Sequence, residues 1–364
     1  MKNLTGMVFK LLVYLALGLN AASVLAASVE ERLAEINRLA PGERQKRLEE
    51  GAKRDAGLKF YSNENIDLLK SYTDSFMRKY PFIKAEFGRG SGARFVSRLL
   101  IEHRSGKLDA DVISVPFEAG LQIKRAGVRA PYRSPELQSY AKTFSDEEGY
   151  WHSNHINIAV IAYNTNLVRP EESPRDYPDL LNPKWKGDLS IDLEPERVLV
   201  GWLVAWGEKK TREFVRRLMQ NGAVVRRGHN LQIQLLCAGE FKIGVELYAY
   251  RVAQTRHEGK CPIAMSFPNP TPGSIGSMAG IARNAPHPHA AALFSDFILS
   301  ADGARTLAST GRIPVHKEVK SIYEEVSQLE QKGVPVLLVP PEKADELGNV
   351  ARQIMEEILV RRQF

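Results

Sequence analysis

From Leu58 onward, short apolar runs alternate with stretches whose apolar residues recur at helical spacing. That alternation restricts the chain to an α/β architecture with parallel strands and right-handed crossovers. Residues 58–61 suit a buried strand. Ile66, Leu69, Thr73, Phe76 and Tyr80 then mark a helix that Pro81 ends. A second strand at 84–87 runs through a glycine cluster into a helix carrying Phe95, Val96, Leu99 and Leu100, and residues 111–115 form a third strand. The pattern resumes with strands at 157–163 and 189–193, helices at 198–206 and 211–220, and a strand at 223–226. A helix at 231–238 is closed by Gly239, followed by strands at 242–247 and 263–267. Residues 268–276, rich in proline and glycine, read as a loop crossing between two halves. A strand at 277–282 and helices at 289–299 and 350–361 complete the pattern. A chain of 364 residues exceeds what a single core of roughly 250–300 residues accommodates, so two lobes are expected. Residues 28–55 are charged, broken at Pro41-Gly42, and read as a helical surface extension.

The N-terminus sets the compartment. Lys2 and Lys10 precede a short apolar stretch at 11–19, and Val24-Leu25-Ala26 places small residues where a signal peptidase reads. A cleaved signal over residues 1–27 and a periplasmic product are expected, since the apolar stretch falls short of the roughly 20 residues of a membrane span. The formal charge is +7, to which Lys2 and Lys10 contribute. Basic residues are scattered among acids without a like-charge arm, so no nucleic-acid partner is expected. Cys237 and Cys261 form either a disulfide or two buried thiols; neither has metal-ligand spacing.

Several constellations bear on chemistry. Gly90, Ser91 and Gly92, with Gly88, open a helix after a strand, where unpaired backbone N–H groups favour an anion or where glycines serve a tight turn. The dinucleotide spacing is wrong, and no phosphate-loop Gly-Lys-Ser/Thr, G-x-S-x-G or H-E-x-x-H motif is present. His287-Pro288-His289 reads as exposed helix-start residues rather than a metal pair. Trp151 and His152 precede a strand and are candidate cleft walls. Asp192, Glu194 and Glu196 form an acidic run whose spacing also fits a carboxylate-pair hydrolase. Tyr248 and Tyr250 alternate at a strand end with Arg251 beside them, where open α/β sheets take ligands.

These pieces in this order resemble the type 2 periplasmic binding proteins, specifically the ferric-ion-binding branch of ABC-importer receptors. The likeness is carried by Phe60-Tyr61-Ser62, Gly90-Ser91-Gly92, Ala110-Asp111-Val112, Ala162-Tyr163-Asn164-Thr165 and Asn182-Pro183-Lys184-Trp185-Lys186-Gly187. Further motifs are Ala238-Gly239-Glu240, Ala285-Pro286-His287-Pro288, Ala290-Ala291, Phe297-Ile298-Leu299-Ser300 and Gly311-Arg312-Ile313-Pro314. The resemblance implies two α/β lobes, each a mixed, mostly parallel sheet flanked by helices, joined by two strand crossings and closing on a ligand by a hinge. Lobe 1 would span residues 28–156 and lobe 2 residues 157–268. Residues 269–315 would return to lobe 1, and 316–364 would pack as a helical segment on lobe 2. Ferric members carry adjacent tyrosines after Ala-Gly-Glu; here Ala249 stands at the first position and Tyr250 at the second, and the loop 62–65 lacks a histidine. The expected function is therefore a monomeric receptor, not an enzyme, that delivers a small anion to the membrane permease of an ABC importer. Its contacts would be Ser62, Asn63, Gly90, Ser91, Gly92, Trp151, His152, Arg197, Tyr248, Tyr250 and Arg251, with no cofactor. The alternative is a ferric-ion receptor using Tyr248 and Tyr250, and a third reading is an exported hydrolase on the same fold.

Overall fold

The computed structural model describes residues 27–363 except Glu194 and Lys260. The expected signal segment thus lies outside the described residues apart from its last position. No helix among the described residues is long and apolar enough to cross a membrane.

Two helices precede the first strand: α1 (Val29–Asn37) and α2 (Pro41–Asp55). Ser28 caps α1 reciprocally with Glu31, and Pro41 at the first turn of α2 gives up no helical bond. The sequence reading placed this segment on the surface. Instead Leu33, Ile36, Leu48 and Ala52 are buried in the main core against α9 (Pro288–Leu299). Polar contacts fasten it further: Arg44 pairs with Asp296 at 2.8 Å and also bonds Tyr132, while the His289 N–H donates to Asp55 at 2.9 Å. His287 Nδ1 lies 2.9 Å from Asp111, so both histidines hold separate carboxylates rather than standing exposed.

The first sheet contains β1 (Gly57–Ser62), β2 (Lys84–Arg89), β3 (Val112–Val115) and β10 (Met278–Ile281), in the order β10-β3-β1-β2. Only β10 runs antiparallel. Between these strands, α3 (Ile66–Lys79), α4 (Gly92–Arg104) and α5 (Phe117–Arg125) cover the faces. This sheet and its helices form lobe 1.

Lobe 2 is built on β4 (His155–Asn164), whose side chains are buried throughout except Ile156. It carries β5 (Leu189–Asp192), β6 (Val224–Arg226), β7 (Ile243–Tyr248), β8 (Ile263–Ser266), β9 (Thr271–Ile275), β11 (Ile313–Pro314) and β12 (Val336–Val339). The order is β12-β9-β4-β7-β5-β6, with β8 and β11 also pairing β4. The segment expected as a crossing loop thus contains a strand, because β9 finds β4 on one side and β12 on the other. The helices are α6 (Glu196–Gln220), α7 (His229–Ala238) and α8 (Ala249–His257). The two-helix reading of residues 198–220 reflects a real break: Gly207 has φ 76°, a conformation that glycine adopts without strain.

The chain passes between lobes at the start of β4, between β9 and β10, and a third time from α10 (Ala301–Ser309) into β11 and β12. The first two crossings touch. A Cβ on Gly276 would sit 2.3 Å from the His155 ring, so only glycine permits that approach. After α10 and β11, the C-terminal helix α11 (Pro341–Ile354) continues into a π-helical turn at Met355–Val360. It packs on both α6 and α5, with Arg212 2.6 Å from Glu357 in lobe 2 and Arg125 bidentate to Asp345 at 2.9 and 2.8 Å in lobe 1.

Cys237 at the end of α7 is bonded to Cys261 before β8. Closing a loop of sequence separation 24 restricts the unfolded chain by about 3 kcal/mol. Replacing both cysteines by serine should lower the unfolding free energy by about that amount, seen as a lower urea midpoint, with a steeper slope because the unlinked unfolded chain exposes more surface. An unchanged midpoint would show that the bridge constrains nothing.

Candidate functional site

The lobes face each other across a cleft of about 650 Å3. Its lobe 1 wall is made where α4 and α5 begin, with Gly92, Val96 and Glu118. The opposite wall presents Arg197 from the first turn of α6, His229 from the first residue of α7, and Glu246 and Tyr248 from β7, while α11 adds Arg352. Alternate strand residues face the same way, which is why Glu246 and Tyr248 reach the cleft together. The sheet order sets β5 beside β7, so the Asp192 N–H donates to Glu246 Oε1 at 2.7 Å across 54 residues of sequence.

One ion pair already spans the cleft. Arg197 Nε donates to Glu118 Oε1 at 2.5 Å, and its Nη1 donates to the Tyr248 hydroxyl at 3.2 Å. Burial works against the Arg197 charge, but Glu118 more than offsets it and holds the guanidinium firmly protonated. Burial, reinforced by the neighbouring Asp192, pushes the Glu246 carboxyl well above the ordinary carboxylate range. The His229 imidazole is drawn down to about 4 by burial and by Arg197, against the pull of Asp192. Burial raises the Tyr248 and Tyr250 phenols. The His229 ring lies 4.0 Å from that of Tyr248, centroid to centroid.

Of the residues anticipated from sequence, Gly92, Arg197 and Tyr248 line this cleft. Ser91 is exposed at the start of α4, and the Gly90 N–H is spent on the Ser62 carbonyl at 3.0 Å. Ser62 is fully buried, its hydroxyl accepting from the Glu64 N–H at 3.1 Å, and Asn63 keeps a buried Oδ1 with no hydrogen bond. Trp151 and His152 are core residues rather than cleft walls. The His152 backbone bridges Ala279, and its ring borders a small separate chamber with Tyr72 and Ser114, where burial lowers its pKa to about 3. Tyr250 is buried beneath the Arg312 guanidinium, 4.8 Å from its ring centre, and Arg251 turns to Gln254 at 2.6 Å. The sequence reading passed over Glu118, His229 and Glu246 as site residues. Glu246 did carry a signal: a carboxylate set between Val245 and Leu247 in an apolar strand has to be buried with a purpose.

A two-lobed body with a polar, side-chain-lined cleft between its sheets defines a solute receptor. Residues 110–333 match the model of the bacterial extracellular solute-binding proteins, and the chain belongs to that family. Its members bind solutes rather than transform them, as the resemblance implied. A curated relative, the Fe(3+)-binding periplasmic protein of Serratia marcescens, is 22% identical over 266 residues, 71% of this chain and 78% of the relative. Among solved structures, iron-bound HitA from Pseudomonas aeruginosa aligns with TM-score 0.73 at 17% identity, covering 83% of this chain and 99% of the other. AfuA from Actinobacillus pleuropneumoniae with fructose-6-phosphate bound aligns with TM-score 0.69 at 19% identity, covering 83% and 98%. The last two establish the shared fold.

Proposed function

We propose that this chain is the receptor of an ABC importer that carries a ferric ion as cargo between its lobes. The small-anion reading gives way to its alternative on one observation above all. The cleft lining holds Glu118, Glu196 and Glu246 against Arg197 and Arg352, and the half-buried Arg197 is already occupied by Glu118. An anion entering here would have to displace a carboxylate; a hard cation would gain carboxylate oxygens, which is what ferric iron prefers. The Serratia relative and the iron-bound HitA structure support the same direction.

A phosphate-bearing solute is the second reading. Arg197 sits in the first turn of α6, where helix N–H groups favour anions, and the AfuA structure holds such a solute. Equilibrium dialysis of metal-free protein against Fe3+ nitrilotriacetate, beside thermal shifts with fructose-6-phosphate and inorganic phosphate, separates the two. One retained iron per chain with no anion shift is expected. At 100 times the dissociation constant a true ligand adds about 2.7 kcal/mol of stability. A shift with the sugar phosphate and no iron retention would replace the ferric reading.

A further inference from the structure

The tyrosines that the resemblance assigns to iron are poorly disposed to hold it. Ala249 stands at one of the two positions, the Tyr248 hydroxyl is engaged by Arg197, and the Tyr250 ring is covered by Arg312. Beside them three other elements of lobe 2 converge. Asp192 ends β5, Glu246 lies on β7 and His229 opens α7, each offering a ligand atom, all within 4.8 Å of one another. We propose that Asp192, His229 and Glu246 are the side chains that hold the metal cargo, seating a first-row transition ion in lobe 2 before lobe 1 closes on it. This rests on reading the cargo as a metal ion.

Two observations beyond proximity carry the assignment. The first is that His229 Nδ1 is shielded from solvent and makes no hydrogen bond; Glu246 Oε2 is 3.6 Å away, too far for one. A buried donor or acceptor left in that condition is costly unless something occupies the space. The second is that the carboxylates are held from behind. The Gly228 N–H donates to Asp192 Oδ2 at 2.8 Å and Gln232 Nε2 donates to the same oxygen at 3.1 Å. Gln232 is itself fixed by the Ser190 hydroxyl at 3.0 Å, and Glu246 by the Asp192 N–H. Such an outer layer, orienting ligands it does not replace, is the mark of metal sites. Bonds of about 2.0–2.2 Å place ligand atoms at most about 4 Å apart across an ion, so the set closes by a shift of less than about 1 Å. His229 and Glu246 line the cleft, which supplies the entry path. Two carboxylates and one imidazole suit iron, manganese or zinc.

The test uses the full mature chain, stripped of metal, titrated with Fe3+ nitrilotriacetate, MnCl2 and ZnCl2, for wild type, Glu246→Gln, His229→Ala and Tyr248→Phe. Unfolding of each metal-free protein controls for folding. Glu246→Gln and His229→Ala should bind about 100-fold more weakly than wild type. Tyr248→Phe should lose less affinity than either, and iron-loaded wild type should lack a visible tyrosinate band. Ferric binding that survives Glu246→Gln, with a tyrosinate band lost in Tyr248→Phe, overturns this assignment and leaves the receptor reading intact. Tight manganese or zinc binding lost in Glu246→Gln, without ferric binding, upholds the site and overturns the ferric cargo. No binding of any of the three metals overturns both.

Discussion

Replacing Arg312 by leucine should destabilise the protein by about 3–5 kcal/mol, the cost of leaving a buried carboxylate without its partner. Arg312 Nη2 lies 2.5 Å from Glu64 Oε2 and Nε 3.2 Å from it, and their side chains are only 3% and 11% exposed. The Ser277 hydroxyl donates to the other Glu64 oxygen at 2.5 Å, and His155 Nε2 stands 3.4 Å away. Glu64 follows β1, His155 begins the first crossing, Ser277 lies on the second and Arg312 precedes β11 on the third, so one carboxylate anchors all three. Burial alone would raise the Glu64 carboxyl, but Arg312 and then His155 outweigh it and hold it well below the ordinary 4.5. A depressed folded-state value gives stability that is present in full above that ordinary value. It drains away as pH falls toward the folded-state value. Wild-type stability should therefore decline on acidification more steeply than that of Glu64→Gln. Leucine at both positions should recover much of the loss, since the double change removes the stranded charge. Urea unfolding at several pH values reads all three; a loss under about 1 kcal/mol for Arg312→Leu would show a solvated pair.

A loss of similar size is expected for Trp202→Ala. Trp202 is fully buried, stacked on Trp206 at 5.7 Å and met edge-on by Tyr177 at 5.1 Å and Phe214 at 5.0 Å. Truncating a buried tryptophan costs about 3–5 kcal/mol, and each lost aromatic pairing adds about 0.5–1.5 kcal/mol. The cluster lies between α6 and the segment around Tyr177, away from the cleft, so ligand affinity should stay within about twofold while the urea midpoint drops. Phenylalanine at 202 should restore part of it. A change in affinity matching the change in stability would show that this cluster is coupled to the site.

The α/β alternation was legible because strand and helix periods differ, and even the interruption at Gly207 left a trace in the flanking apolar patterns. What escaped was whatever depends on partners distant in sequence. The apolar points of residues 28–55 were visible, but nothing local reveals that α9 receives Leu33 and Leu48. A proline-rich stretch reads as loop until β4 and β12 are known to flank it. For the site, Arg197 and Tyr248 stood out because a guanidinium and strand-end phenols signal ligands by type. Asp192, His229 and Glu246 become a group only through the β7-β5 neighbourhood and the return of α7 beside it, which no spacing encodes.

The C-terminal helix makes the machine more than a pair of jaws on a flexible strap. Fixed to α6 on one side and to α5 through Arg125 and Asp345 on the other, it acts as a tie-bar across the mouth. The Arg125–Asp345 pair on its lobe 1 side is solvent-exposed, at 61% and 37%, a kind of contact worth roughly 0–1 kcal/mol. The ion pair adds little by itself, so the hold of this helix on lobe 1 rests on its packing against α5, and it spans both lobes as one rigid rod.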